Sequence, residues 1–165
     1  MRLTPLVLCL GLAASTMPGV LIGQRPDDQI APQSVALLKK GEALIAQGKL
    51  LEADESLETA LAVDPKNRAA FVDLARVAIK QQLFGQAIRM TNKALALEPT
   101  DRSALQVQGE AMVELGALPR ARETLAKLQK LCGPKGCAEV ALLSTAIGRG
   151  PALAAVKPAP TPKSN

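Results

Sequence analysis

The chain has 165 residues, 48% apolar but only 1% aromatic, with no Trp, Tyr or His and a formal net charge of +5. That length holds one domain with a core, and a core of Leu, Ala, Val and Ile favours closely packed helices over a β-sandwich. The excess charge is thinly spread, partly at Arg2, Lys157 and Lys163, with no basic stripe and almost no aromatic to stack bases, which argues against nucleic acid as a partner.

Residues 1–15 open on Met1-Arg2, run through an apolar stretch from Leu3 to Leu12 and reach the small residues Ala13, Ala14 and Ser15. This is the order of a secretory signal peptide, with Ala13 and Ser15 permitting cleavage before Thr16. The alternative is an uncleaved anchor running to Ile22, but Pro5, Pro18 and two glycines interrupt a span that needs about 20 apolar residues. Cys9 does not fit a lipid-attachment site, because Leu8 is larger than the residue such a cysteine requires before it.

Residues 16–33 are expected to form a flexible leader, since Gly23 to Gln33 is polar, carries two prolines and shows no periodicity. Order is expected to begin near Ser34. The spacing Leu37, Leu38, Gly41, Leu44, Ile45 predicts an amphipathic helix that stops at Gly48. A second helical pattern runs through Leu51, Ala53, Leu57, Ala60 and Leu61 and ends before Pro65.

The sequence then repeats itself. ALAVDPKNRAA, residues 60–70, aligns with ALALEPTDRSA, residues 94–104, at an offset of 34 that sets Pro65 on Pro99. The same offset relates Ala53, Ala87 and Ala121, then Leu37, Phe71 and Leu105, and then Gly41, Ala75 and Gly109. A period of 34 residues with two helices per unit resembles the tetratricopeptide repeat (TPR). The resemblance covers about 34–131. It implies an all-α solenoid of three helix-turn-helix units at about 34–67, 68–101 and 102–131. It also implies that the small residues at Gly41, Ala75 and Gly109 lie where the first helix of a unit packs on the second. The family's usual Trp and Tyr are replaced by Leu37, Phe71, Leu105 and by Leu44, Ala78, Met112. In the third unit Leu128 replaces a small residue and the closing proline has moved to Pro134, so that unit reads as terminal.

A solenoid end needs a cap with a polar outer side. Residues 137–147, CAEVALLSTAI, have helical periodicity and are expected to supply it, with Gly148 as the stop. Beyond it, residues 149–165 carry Pro151, Pro158, Pro160 and Pro162 and are expected to be disordered or polyproline-like.

Three features bear on chemistry. First, Cys132 and Cys137 flank Gly133-Pro134-Lys135-Gly136, and in an oxidising compartment such a pair reads as a disulfide locking the last unit to its cap. Inert thiols in a reducing compartment are a second reading. A redox site is a third, against which stands the spacing of four residues where a thioredoxin-like motif has two. A metal site lacks ligands, as two thiolates without a histidine do not close a zinc site. Second, without His as a general base and without a phosphate-cradling glycine motif, no catalytic constellation is present, and no enzyme activity, cofactor or metal is expected.

Third, the resemblance implies a partner-binding groove lined by the first helix of each unit. Projected residue by residue, it is lined by Leu38, Glu42 and Ile45, then by Val72, Arg76 and Lys80 with Ile79 beside them, then by Gln106, Glu110 and Val113. Arg76 and Lys80, four residues apart, face the same way on a helix and suit an acidic partner segment. The plainer reading is a solvated surface in which Arg76 pairs with Asp73. The family's groove for a C-terminal carboxylate is not reproduced, because Glu42, Arg76 and Glu110 stand where Asn is expected. The overall plan resembles small exported TPR proteins of Gram-negative bacteria in which a cysteine pair follows the last repeat. It implies a periplasmic scaffold that binds a protein or peptide. Three rivals remain: a membrane-tethered assembly factor, a thiol redox protein using Cys132 and Cys137, and self-association through an exposed apolar end.

Overall fold

The computed structural model describes residues 29–152, within which there are seven α-helices and no strand. They are α1 (Pro32–Ala46), α2 (Leu50–Val63), α3 (Arg68–Lys80), α4 (Phe84–Leu97), α5 (Arg102–Glu114), α6 (Leu118–Cys132) and α7 (Ala138–Arg149). The expected signal peptide, the leader up to residue 28 and the tail from residue 153 lie outside the described residues. No helix among the described residues is long and apolar enough to cross a membrane.

The helices form three hairpins, α1 on α2, α3 on α4 and α5 on α6, stacked so that α2 touches α3 and α4 touches α5. The first helices also meet one another directly: α3 contacts α1 and α5, and α5 contacts α7. This is the TPR solenoid, with α1, α3, α5 and α7 side by side.

Local sequence explains the helix ends. Every hairpin turn closes with the same pair of hydrogen bonds: Gly48 N–H donates to Ile45 O and Lys49 N–H to Leu44 O, and the pattern recurs at Gln82 and Leu83 and at Gly116 and Ala117. It is the Schellman arrangement, which requires a left-handed residue just after the helix. At the junctions between hairpins a side chain caps the next helix. Asn67 Oδ1 accepts from Ala70 N–H (3.3 Å), and thirty-four residues later Asp101 Oδ1 accepts from Ala104 N–H (2.7 Å).

Small residues set the helix separations. Ala53, Ala60, Ala75, Ala87, Ala94, Ala104, Ala111 and Ala121 are fully buried, and the columns that replace the family aromatics, Leu44, Ala78 and Met112, are buried as well. A Cβ on Gly41 would stand 2.6 Å from Leu57 Cδ2, so α1 lies on α2 closely enough that any side chain there would force Leu57 to shift. Fully burying a side chain such as Leu57, Leu128 or Leu143 contributes roughly 1.5–3 kcal/mol each, and these three anchor the two ends of the stack.

Four sequence expectations are corrected. The ordered chain begins before Ser34: Ala31 is buried, its N–H donates to Asp64 Oδ2 (2.7 Å), and Pro32 opens α1, where a missing N–H costs nothing. At Gly109 the nearest side chain does not come from the unit's own second helix. A Cβ there would stand 2.5 Å from Leu143 Cδ2, so the close neighbour is α7. Gly148 does not stop α7, which continues to Arg149 and ends at Gly150 with φ 73°. The outer side of α7 is also not polar throughout, because Ala138, Ala141 and Leu142 are exposed on it.

Candidate functional site

The row α1, α3, α5 presents the face on which the projected groove residues fall. Its register is regular: Glu42, Arg76 and Glu110 are spaced by 34, as are Ala46, Lys80 and Glu114, so each set occupies equivalent places on successive helices.

Burial divides the projected residues into floor and rim. Val72 (3% exposed), Gln106 (6%) and Val113 (0%) form the floor, closed over by neighbouring helices. Val113 packs in a cluster with Met112 and Ala121 to which Ile147 of α7 belongs, so it is not open to a partner. Leu38, Ile45 and Ile79 are half-buried, while Glu42 and Lys80 are exposed. The accessible surface is therefore an apolar strip with charges above it.

Arg76 is partly committed. Its Nη1 lies 2.5 Å from Asp73 Oδ1, one turn earlier on α3, and the Asp73 side chain is buried beneath it. The plainer sequence reading of Arg76 is thus present in the structure. It does not exhaust the residue, because a guanidinium carries five donors and the Arg76 side chain keeps 42% exposure. Burial pushes the Asp73 carboxyl above its usual range, and the hydrogen bond and charge of Arg76 only partly offset it. Glu110 behaves likewise: burial raises it, Glu114 adds to the rise, and the hydrogen bond from Gln106 with the charges of Arg149 and Arg76 oppose it. One groove carboxylate therefore senses cations from both sides.

A pocket of about 140 Å³ opens between α1, α3 and α5, lined by Glu42, Arg68, Val72, Asp73, Arg76 and Asp101 among others. Arg68 was not singled out from sequence, yet it closes one end of this pocket by pairing with Asp101 (Nε to Oδ2, 2.5 Å) across the junction of two hairpins. The signal was present in the recurrence of Arg68 at Arg102 and of Asn67 at Asp101. At the far end Glu114 was also missed. Its Oε1 accepts from Arg149 Nη2 (2.9 Å) and its Oε2 from the backbone N–H of Ala152 (2.8 Å), which ties the chain leaving α7 to the end of α5.

Cys132 ends α6 and Cys137 precedes α7. Their sulfurs stand at bonding distance, 2.02 Å, with the Cα atoms 5.6 Å apart. Glu139 brings a carboxylate oxygen within 4.8 Å of both sulfurs.

A tetratricopeptide-repeat family model matches residues 44–108. No curated protein matches the chain. Among solved structures, the Arabidopsis OM64 TPR domain is 17% identical, with a TM-score of 0.64 over 71% of this chain and 95% of that one. The second TPR domain of human RPAP3 in complex with the HSP70 peptide SGPTIEEVD is 22% identical, with a TM-score of 0.62 over 70% and 95%. The first TPR domain of Spaghetti (RPAP3) bound to the HSP90 peptide SRMEEVD is 23% identical, with a TM-score of 0.61 over 70% and 94%. At these identities the likeness is one of fold.

Proposed function

We propose that this chain is a non-enzymatic scaffold that binds a protein or peptide along the face made by α1, α3 and α5. The observation that carries this is the accessible rim itself: Glu42, Ile45, Arg76, Lys80 and Glu110 run across three helices in register, above a floor that is already packed. An extended segment with an acidic residue for Arg76 and Lys80 and an apolar one for the strip at Ile45 and Ile79 fits that order. The RPAP3 domains of the same fold hold peptides, which supports peptide recognition here. The side chains differ from those a C-terminal carboxylate requires, so the EEVD-type ligand is not carried over.

The same proposal places the protein in the bacterial envelope. The signal-peptide order of residues 1–15 supports export, and a Cys132–Cys137 staple between α6 and α7 suits an oxidising compartment. The test is in-cell crosslinking with affinity capture and mass spectrometry on fractionated cells, comparing wild type with Arg76→Glu/Lys80→Glu. The expected result is an envelope protein captured by wild type and lost from a variant of unchanged helicity. Equal capture by both overturns the groove, and recovery of the protein from the cytosol alone overturns the export.

A further inference from the structure

We infer that the segment taken by this groove is a polyproline-II stretch of another protein, with a charge at every third residue in the order basic, acidic, basic. The inference rests on the groove being a peptide site and deepens that reading from a surface to a spacing. Its starting point is the row Glu42, Arg76, Glu110, which sets an anion, a cation and an anion at equivalent places on α1, α3 and α5. Among the described residues neither Glu42 nor Glu110 pairs with a cation at ion-pair distance. Arg76, bound to Asp73 on its own helix, keeps donors to spare. Lys80 stands one turn beyond Arg76 on the same helix and adds a second cation to the middle of the row. A complementary segment therefore presents a base, an acid and a base in succession.

Spacing selects the backbone. The helices α1, α3 and α5 contact in turn, and packed helices stand about 8–10 Å apart, so successive charges of the row are separated by about that distance. A polyproline-II chain returns to the same face after three residues, about 9.3 Å. A β-strand returns after two or four residues, about 6.8 or 13.6 Å, and misses the row on both sides. An α-helix repeats after about 5.4 Å or, over seven residues, about 10.5 Å, and falls out of step across the row. The three-residue repeat keeps all three contacts, with intervening residues turned toward the half-buried Ile45 and Ile79 and the pocket beside Glu42 and Arg76. Grooves that read polyproline by its rings are lined with aromatic side chains. Neither phenylalanine of this chain stands in the row: Phe84 is buried on α4, and Phe71 carries the Lys93 ammonium over its ring. Charge, not proline packing, therefore sets this register.

The test titrates the isotope-labelled full chain in low salt with the peptide KPAEPAK and with KPEAKPA, which has the same composition but a charge at every second residue. Amide shifts in the NMR spectrum report both the Kd and the place of binding. KPAEPAK is expected to bind with a Kd roughly tenfold lower, the worth of about two exposed ion pairs, and to shift the amides around Glu42, Arg76 and Glu110. In Glu42→Lys/Glu110→Lys the preference is expected to turn from KPAEPAK to EPAEPAE, an outcome that a misfolded variant does not produce. Equal affinity for KPAEPAK and KPEAKPA, a preference for the latter, or shifts that leave the row untouched overturn the inference. Absence of binding by either peptide overturns it too, and leaves the groove to the in-cell capture. If Arg76→Glu/Lys80→Glu abolishes a binding that ignores spacing, the groove remains a peptide site and the charge register alone falls. If that variant leaves such binding intact, both fall.

Discussion

Gln82 holds, at φ 62°, the left-handed backbone that Gly48 holds at φ 75° thirty-four residues earlier and Gly116 at 74° thirty-four residues later. All three sit after the first helix of a hairpin and donate to the carbonyl three residues back. Glycine takes that conformation without penalty, but a residue with a Cβ is strained in it. The middle hairpin turn therefore carries a cost that its neighbours do not.

Gln82→Gly is expected to raise stability by about 1 kcal/mol, the strain relieved less the added freedom of the unfolded chain. Gly48→Ala, which imposes the same strain on the first turn, is expected to lower it by a similar amount. Urea denaturation with a shared slope checks both. A loss of stability in Gln82→Gly means that the Gln82 side chain contributes more than its backbone costs.

Seating of α7 on α5 gives the second prediction. Leu143 is fully buried and fills the space where Gly109 lacks a side chain. Leu143→Ala is expected to cost about 2–3 kcal/mol, the lower part of the range for a buried leucine, because α7 packs on one side of the stack only. Gly109→Ala is expected to be destabilising by about 1 kcal/mol, overpacking being partly offset by the better helix former. In the double variant the new methyl enters the vacated space, so the two costs fall short of adding by about 1 kcal/mol in a double-mutant cycle. Additivity within about 0.5 kcal/mol means that α7 is not seated there in solution.

The contrast between Gly41 and Gly109 marks how far the sequence could be read. Periodicity identified both as small-residue positions, and the all-α hairpin stack follows from it because helix spacing is a property of the repeat. Which helix fills each gap depends on what comes next in the array, and after the third hairpin the next helix is α7, whose neighbours no period defines. The site divides in the same way. Register put Arg76, Lys80, Glu42 and Ile45 on one face of the first helices, since i, i+4 spacing is local. It did not distinguish them from Val72, Gln106 and Val113, whose burial depends on cover from adjacent helices. Glu114, Arg149 and Ala152 were invisible for the same reason, as a contact across 35 to 38 residues is made only when α7 is in place.

Glu110 gives a pH-dependent prediction whose sign follows from its surroundings. Burial holds its carboxyl above the ordinary glutamate range, despite Gln106, Arg149 and Arg76. A carboxyl whose pKa is higher in the folded chain than in the unfolded one contributes stability that is fully present below the unfolded value. That contribution is lost as pH rises through the folded value, so the ionised form of Glu110 is a net burden on the fold. Glu110→Gln removes the charge and keeps an amide that bonds to Gln106. The variant is therefore expected to be more stable than wild type at pH 7. The gap narrows as pH falls through the folded pKa and closes below the ordinary glutamate value of about 4.3. Asp73, raised by burial in the same direction, is common to both proteins and cancels to first order in their difference. Urea midpoints for the pair at pH 7, 5 and 4 provide the measurement. A variant that is instead weaker at pH 7 means that Arg76 and Arg149 outweigh burial and hold Glu110 as a carboxylate. In that case the groove presents a fixed negative charge to whatever segment occupies it.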